Sequence, residues 1–252
     1  MSIEELHRFS AGSANDEKYK HLWVKGARDY IPQLNLFLKY VGIPEPTYKN
    51  IEEFSNKDES ILQKILESSN SDKSTSHNYY ILYSYIFSIL GRDKELNILE
   101  IGMGTNNPTI CSTMGEGARP GASLDSWEIY LPNSHIFGAD IDKDILYETE
   151  RIKTSFVDQT EPSTFTDLQK SFNTKYDVII DDGLHSISAN LNTLLFALQH
   201  LNSNGWIIIE DVSIIYHENW FPIDHILKED KTLECFFVRS KQCLMYVVHK
   251  LV

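Results

Sequence analysis

Two β-rich runs late in the chain, Leu233 to Arg239 and Gln242 to His249, are separated by only Ser240 and Lys241. So short a gap cannot hold a crossover helix, so the two runs must pair as an antiparallel hairpin. Upstream the pattern differs. Five shorter β-rich runs, Asn97 to Ile101, His135 to Ala139, Thr154 to Val157, Asp177 to Ile180 and Trp206 to Ile209, alternate with stretches long enough for helices. That alternation predicts parallel strands joined by crossover helices. Together the runs predict an α/β sheet of seven strands ending in an antiparallel hairpin. This differs from the dinucleotide-dehydrogenase pattern, in which the alternation continues.

Residues 1–95 carry apolar positions at helical spacing and no strong strand. Ile31, Leu34, Leu38 and Val41 share one helix face before Gly42, Pro44 and Pro46 break the pattern. Further helices are predicted over Ser60 to Ser68 and over His77 to Leu90, the latter ended by Gly91. A short helix is expected around Trp127, Tyr130 and Leu131. The expected organisation is a helical cap or oligomerisation region over 1–95, followed by an α/β domain over 96–252.

Charge narrows the range of partners. With 36 acidic and 23 basic residues among 252, the chain has a net charge of -13, and it lacks a local Lys/Arg cluster. Such a chain repels phosphate backbones and anionic lipid surfaces, which disfavours nucleic acid and membrane as partners. Cys111, Cys235 and Cys243 form no C-x-x-C pair and are odd in number, so a disulfide framework or thiolate zinc site is not suggested. The acidic opening MSIEELHRFS lacks a signal peptide's apolar core, and the greasiest stretch, Tyr79 to Leu90, is too short for a bilayer. A cytoplasmic protein working on a small molecule is expected.

Open parallel sheets bind ligands beyond the carboxyl ends of their strands. Here those ends hold Gly102 to Thr105, Asp140, Asp158, Asp181 to His185, and Glu210 with Asp211. Gly102 and Gly104 allow a tight backbone turn against a nucleotide or amino-acid moiety. Asp140 stands where a carboxylate accepts hydrogen bonds from ribose hydroxyls, with Asp142 the nearby alternative. Asp158, followed by Gln159, suits an adenine amino group, or equally a turn. Carboxylates from Asp182, Glu210 and Asp211 offer oxygen ligands to a hard cation such as Mg²⁺. His185, three residues after Asp182, suits a general base near neutrality. The competing reading makes Asp181 and Asp182 caps of the following helix and His185 a surface residue. His77 can overhang the same mouth, whereas Tyr79, Tyr83 and Phe87 fit a core stripe.

The segment Glu100-x-Gly102-x-Gly104, the following acids and the terminal hairpin resemble class I S-adenosylmethionine-dependent methyltransferases, from about Leu96 onward. Asn106 stands where a third glycine often occurs in that family. More specifically, the chain is similar to the metal-dependent sugar O-methyltransferases of macrolide tailoring and their cephalosporin-hydroxylase-like relatives. The matching pieces are Asp72-Lys73 with His77 and Tyr79, Pro120-Gly121-Ala122-Ser123-Leu124 with Trp127, Gly138-Ala139-Asp140-Ile141-Asp142, Asp158-Gln159, Asp182-Gly183-x-His185, and Glu210-Asp211. The resemblance implies Asp182, Glu210 and Asp211 as Mg²⁺ ligands and His185 as base. It implies S-adenosylmethionine held by Glu100, Gly102, Gly104, Thr105, Asp140, Asp142, Asp158, Gln159 and Asp181, and a substrate side that includes His77, Tyr79 and Lys73. The expected substrate is a sugar hydroxyl, on a nucleotide-activated hexose or heptose of surface-polysaccharide synthesis or on a glycosylated natural product. Lys25, Arg28, Lys73 and Arg119 are candidates for contacting phosphates. The alternatives are a nucleotide-dependent oxidoreductase and a non-catalytic adenosyl-ligand-binding protein. A homo-oligomer is expected to use the helical N-terminal region.

Overall fold

The computed structural model describes residues 17–115 and 117–252. In chain order it has helix α1 (Glu17–Tyr40), strand β1 (Tyr48–Asn50), α2 (Glu59–Ser68), α3 (Tyr80–Leu90), β2 (Asn97–Ile101), α4 (Ala122–Tyr130), β3 (His135–Asp140) and β4 (Ile152–Phe156). There follow α5 (Pro162–Phe172), β5 (Tyr176–Asp181), α6 (Ile187–His200), β6 (Leu201–Val212), α7 (Phe221–Glu229), β7 (Leu233–Arg239) and β8 (Leu244–Lys250). All lie around one eight-stranded sheet in the order β1-β7-β8-β6-β5-β2-β3-β4.

The predicted hairpin forms, with Leu233 opposite Lys250 and Arg239 opposite Leu244. Strand β8 inserts between β6 and β7, antiparallel to both, while the remaining pairings are parallel. The five earlier runs are strands, and the chain leaves β2 on one side for β3 and returns on the other as β5. That reversal is the switch point at which open sheets part to receive a ligand.

The expectation of seven strands falls one short. Tyr48–Asn50 pairs parallel with Phe237–Arg239 of β7, which brings the N-terminal region into the sheet. Three residues between Pro46 and a 3₁₀ turn carry too little alternation to mark a strand. They extend because β7 otherwise presents an unpaired edge.

Successive residues of each central strand face opposite sides. Ile98, Ile180 and Ile208 pack on one face with Leu82, Ile86, Phe87 and Trp127. Leu99, Ile179, Ile207 and Ile209 pack on the other with Phe165, Leu168 and Ala197. Each fully buried side chain of this size stabilises the fold by roughly 1.5–3 kcal/mol. The first cluster joins Ile51, Phe54 and Leu62 to Val238, Met245 and Val247, so residues on both sides of position 95 share a core. Helix α5 opens on Pro162 and stops at Asn173, whose φ of 46° makes the left-handed cap. Among the described residues no helix is long and apolar enough to cross a membrane.

Candidate active site

A cleft lies over the carboxyl ends of β2, β3, β5 and β6. Its lining includes Gly102, Gly104, Thr105, Asp140, Asp158, Gln159, Asp182, His185 and Asp211. Asp72 and a loop bearing Ile110, Cys111, Ser112 and Met114 complete it. Gly102 has a φ of 91°, and a Cβ there would run into the main-chain oxygen of Asp182. Only glycine lets the turns after β2 and β5 approach so closely.

On the nucleotide side, Asp140 receives the main-chain N–H of Met103 at 2.7 Å and of Asp142 at 2.8 Å. It is thereby fixed at the cleft wall beside Ile141 and Val157. Gln159 donates to Asp181 Oδ1 and Thr193, each at 2.8 Å, and accepts from the Leu184 main-chain N–H at 2.7 Å. Two glycines of positive φ, a buried acid at the end of β3 and apolar walls fit a nucleoside-bearing ligand, so the donor set suits the expected cofactor.

Three expected cofactor contacts stand behind the cleft instead of lining it. Glu100 is fully buried and receives Ser123 Oγ at 2.8 Å and Trp127 Nε1 at 2.6 Å. Asp142 takes the Thr105 hydroxyl at 2.5 Å and the Asp144 main-chain N–H at 3.0 Å. Asp181, also fully buried, takes Gln159 and Asn190. Their oxygens are committed to holding the loops in place.

The acids at the carboxyl ends of β2, β5 and β6 follow from strand alternation. Glu100, Asp182 and Glu210 lie two residues past Ile98, Ile180 and Ile208, on the same face of three adjacent strands. Lys73 from the N-terminal region caps this row. Its Nζ is 2.6 Å from Asp182 Oδ2, 2.6 Å from Glu210 Oε2 and 3.4 Å from Glu100 Oε1, and its side chain is 1% exposed. Burial opposes the lysine charge, but Asp182, Glu210 and Glu100 outweigh it and hold the ammonium well above its usual range. Burial pushes the Asp182 carboxyl up to about 6, against the pull of Lys73 and His185.

Asp211 breaks the alternation. The pairing of β6 with β8 shifts register between Ile209 and Val212, and Asp211 has a φ of 52°. The bulge turns its carboxylate into the cleft. There Oδ1 accepts from the Tyr79 hydroxyl, and Oδ2 lies 3.7 Å from His185 Nε2. The lowered Asp211 carboxyl has burial working against it, but the Tyr79 hydrogen bond, His185 and His77 prevail. His185 is also left-handed, at φ 54°, and its Nε2 is 3.8 Å from Asp182 Oδ1. Two non-glycine residues in this region cost roughly 1–3 kcal/mol each, a strain that clusters at functional sites.

Asp182, His185 and Asp211 thus gather three ligand-type atoms within 4.8 Å of one another. Two carboxylates lining the cleft fit a hard divalent cation. The third expected ligand, Glu210, does not join them: Oε1 accepts from Tyr83, Oε2 from Lys73, and the side chain is 1% exposed. Nor do Lys73 and Tyr79 present themselves to a substrate. Tyr79 is 1% exposed, and His77 stacks on it with ring centroids 4.5 Å apart. The helix-cap alternative for Asp181 and Asp182 fails because Ser186 caps α6, accepting from the Ala189 main-chain N–H. Arg119 pairs with Asp125. Lys25 is exposed, and the side chain of Arg28 lies outside the described residues.

Sequence reasoning missed Tyr83 and left Asp72 without a role. Tyr83 follows Tyr79 by four residues, one helical turn, which matches the adjacent Glu210 and Asp211 that their hydroxyls reach. No comparable signal marks the loop carrying Ile110 to Met114.

No family model matches the chain. Over 147 residues, 58% of the chain, it is 31% identical to the 8-demethyl-8-alpha-L-rhamnosyl tetracenomycin-C 2'-O-methyltransferase of Streptomyces olivaceus, of which this covers 36%. Over 126 residues, 50% of the chain, it is 33% identical to the L-olivosyl-oleandolide 3-O-methyltransferase of Streptomyces antibioticus, covering 30% of it. The matched part is therefore about a third of each relative's length. Among solved structures, the MycE methyltransferase of mycinamycin biosynthesis in complex with Mg and SAH superposes with a TM-score of 0.58 at 21% identity, over 75% of this chain and 54% of that one. The chain has the class I S-adenosylmethionine-dependent methyltransferase fold, and over half its length it is similar in sequence to sugar O-methyltransferases.

Proposed function

We propose that the protein is an S-adenosylmethionine-dependent, Mg²⁺-assisted O-methyltransferase acting on a sugar hydroxyl of a glycosylated small molecule. The observation that carries this reading is Asp182 Oδ1, Asp211 Oδ2 and His185 Nε2 converging beside a glycine-walled nucleoside cleft. The rhamnosyl and olivosyl substrates named for the similar enzymes support a deoxysugar acceptor. A nucleotide-activated hexose or heptose is the narrower alternative acceptor. In this assignment residues 96–252 carry the chemistry, and from the region before position 95 Asp72, Lys73, Tyr79 and Tyr83 complete the site from one side.

A sulfonium methyl is already electrophilic, so the protein must place an acceptor oxygen in line with it and remove that oxygen's proton. Asp140, Asp158, Gly102 and Gly104 line the cleft; the two acids would hold the nucleoside, and the bare backbone at the glycines would admit its amino-acid end. Asp182 and Asp211 would hold the cation, and the chemistry it would supply there is to orient neighbouring hydroxyls and lower the barrier to ionising one of them. His185 Nε2 accepts the hydroxyl proton as the oxygen–methyl bond forms and the sulfur–methyl bond breaks. An oxidoreductase is not favoured, because β8 runs antiparallel where a dehydrogenase sheet continues its alternation.

Calorimetry with SAH, NAD and Mg²⁺, each added separately to metal-stripped protein, tests the assignment. SAH binding with a separate Mg²⁺ site, followed by methyl transfer to a rhamnoside, is expected. Binding of NAD alone, or of neither nucleotide, would overturn it.

A further inference from the structure

Cys243 takes no part in the proposed methyl transfer, yet it sits against one of the acids that serves it. The antiparallel pairing of Val212 with Leu244 sets it beside the bulge at Asp211, and its thiol lies within hydrogen-bonding reach of Asp211 and Tyr79. His77, just before α3, meets the same carboxylate: its Nε2 is 3.9 Å from Asp211 Oδ1. The other ring nitrogen, Nδ1, is buried without a hydrogen-bond partner, so nothing fixes the imidazole in one tautomer. His77, Asp211 and Cys243 thus offer a nitrogen, an oxygen and a sulfur within 4.8 Å of one another. Ligand atoms around a tetrahedral Zn²⁺ stand roughly 3.5 Å apart, so small side-chain rotations close this set on an ion. No sequence spacing announces it, because the three residues come from three separate segments.

We propose that His77, Asp211 and Cys243 form a second metal site, selective for a thiophilic divalent ion such as Zn²⁺, and that filling it withdraws Asp211 from the Mg²⁺ site and so inhibits the enzyme. The inhibition rests on the reading of the cleft as a Mg²⁺ site; the thiophilic site itself does not. Imidazole and thiolate favour zinc or cadmium, whereas Mg²⁺ takes oxygen. The two sites therefore select different ions and compete for one carboxylate. On binding, the Cys243 thiol releases its proton to solvent as the sulfur–metal bond forms, and no oxidation state changes. Cys243 also lines a neighbouring hollow with Tyr48, His217 and Arg239, which gives the ion a route that avoids the nucleoside cleft.

The test adds Cd²⁺ to the metal-free protein and reads the ultraviolet absorption of a cadmium–thiolate bond, with SAH binding and the thermal midpoint as checks on folding. One equivalent is expected to saturate the band. Cys243→Ser should abolish it, His77→Gln should weaken Cd²⁺ binding about tenfold or more, and Cys111→Ala and Asp182→Asn should keep it. No band, a band that survives Cys243→Ser, or one indifferent to His77 would overturn the site. Should Cys243→Ser not fold, Cys243→Ala and His77→Gln decide. Competition for Asp211 is read by electron paramagnetic resonance, with Mn²⁺ standing in for Mg²⁺. Zn²⁺ at one equivalent should displace Mn²⁺ from wild type, and Cys243→Ser should need about tenfold more. Equal displacement in both would mean that Zn²⁺ enters the cleft directly, and the inhibition would fall. If wild type binds no Mn²⁺, the cation reading of the cleft fails and the inhibition with it, while the cadmium band still decides the second site.

Discussion

At the residue scale the site depends on two side chains held where side chains rarely sit. His185 and Asp211 both have positive φ, and asparagine tolerates that conformation better than most residues. Asp211→Asn keeps an acceptor for Tyr79 and should hold stability within about 1 kcal/mol of wild type while losing metal affinity. Asp211→Val adds a β-branched side chain in the left-handed region and strands the Tyr79 hydroxyl, so urea denaturation should show a loss of about 2–4 kcal/mol. Equal stability of the two would mean the bulge is unstrained. His185→Asn likewise spares the backbone but removes the base, so turnover should fall by roughly 10²–10⁴-fold with SAH affinity kept. Full turnover would remove His185 from the chemistry.

At the scale of elements, the strand ends were legible and the partners of their acids were not. Alternation alone puts Glu100, Asp182 and Glu210 on the face of Ile98, Ile180 and Ile208. Whether an acid on that face binds a metal or a lysine depends on what covers it. Lys73 arrives from 137 residues away to meet Glu210, a separation no local pattern reports. The hairpin was legible because so short a gap permits only one kind of connection, although the structure's link is the four residues 240–243, whereas Tyr48–Asn50 was too short to betray a strand. Helix α3 shows how a buried stripe can also serve a site: Tyr83 packs among Phe87 and Trp127 and still delivers its hydroxyl to Glu210. Tyr83→Phe keeps the packing and leaves a buried oxygen with one donor fewer. A destabilisation of about 1–3 kcal/mol in urea is expected, and a neutral effect would count against the hydrogen bond.

For the whole molecule, the core shared across position 95 ties residues 51–87 to the sheet's own packing. Ile51 and Leu62 belong to the same cluster as Val238 and Val247. Denaturant unfolding of the metal-free protein should give coincident transitions by tryptophan fluorescence and far-ultraviolet circular dichroism. Two resolved steps would show that the regions fold separately. The position of β8 has a further consequence for how a ribosome delivers this chain. Strand β8 emerges after β7 yet lies between β7 and β6, so the β7–β1 pair has no place in the sheet until β8 arrives. Until then the nascent chain presents β6, with Ile207, Ile208 and Ile209, as an open edge. Synthesis stalled just short of Leu244 should therefore yield a chaperone-bound species, released when the last strand closes the sheet.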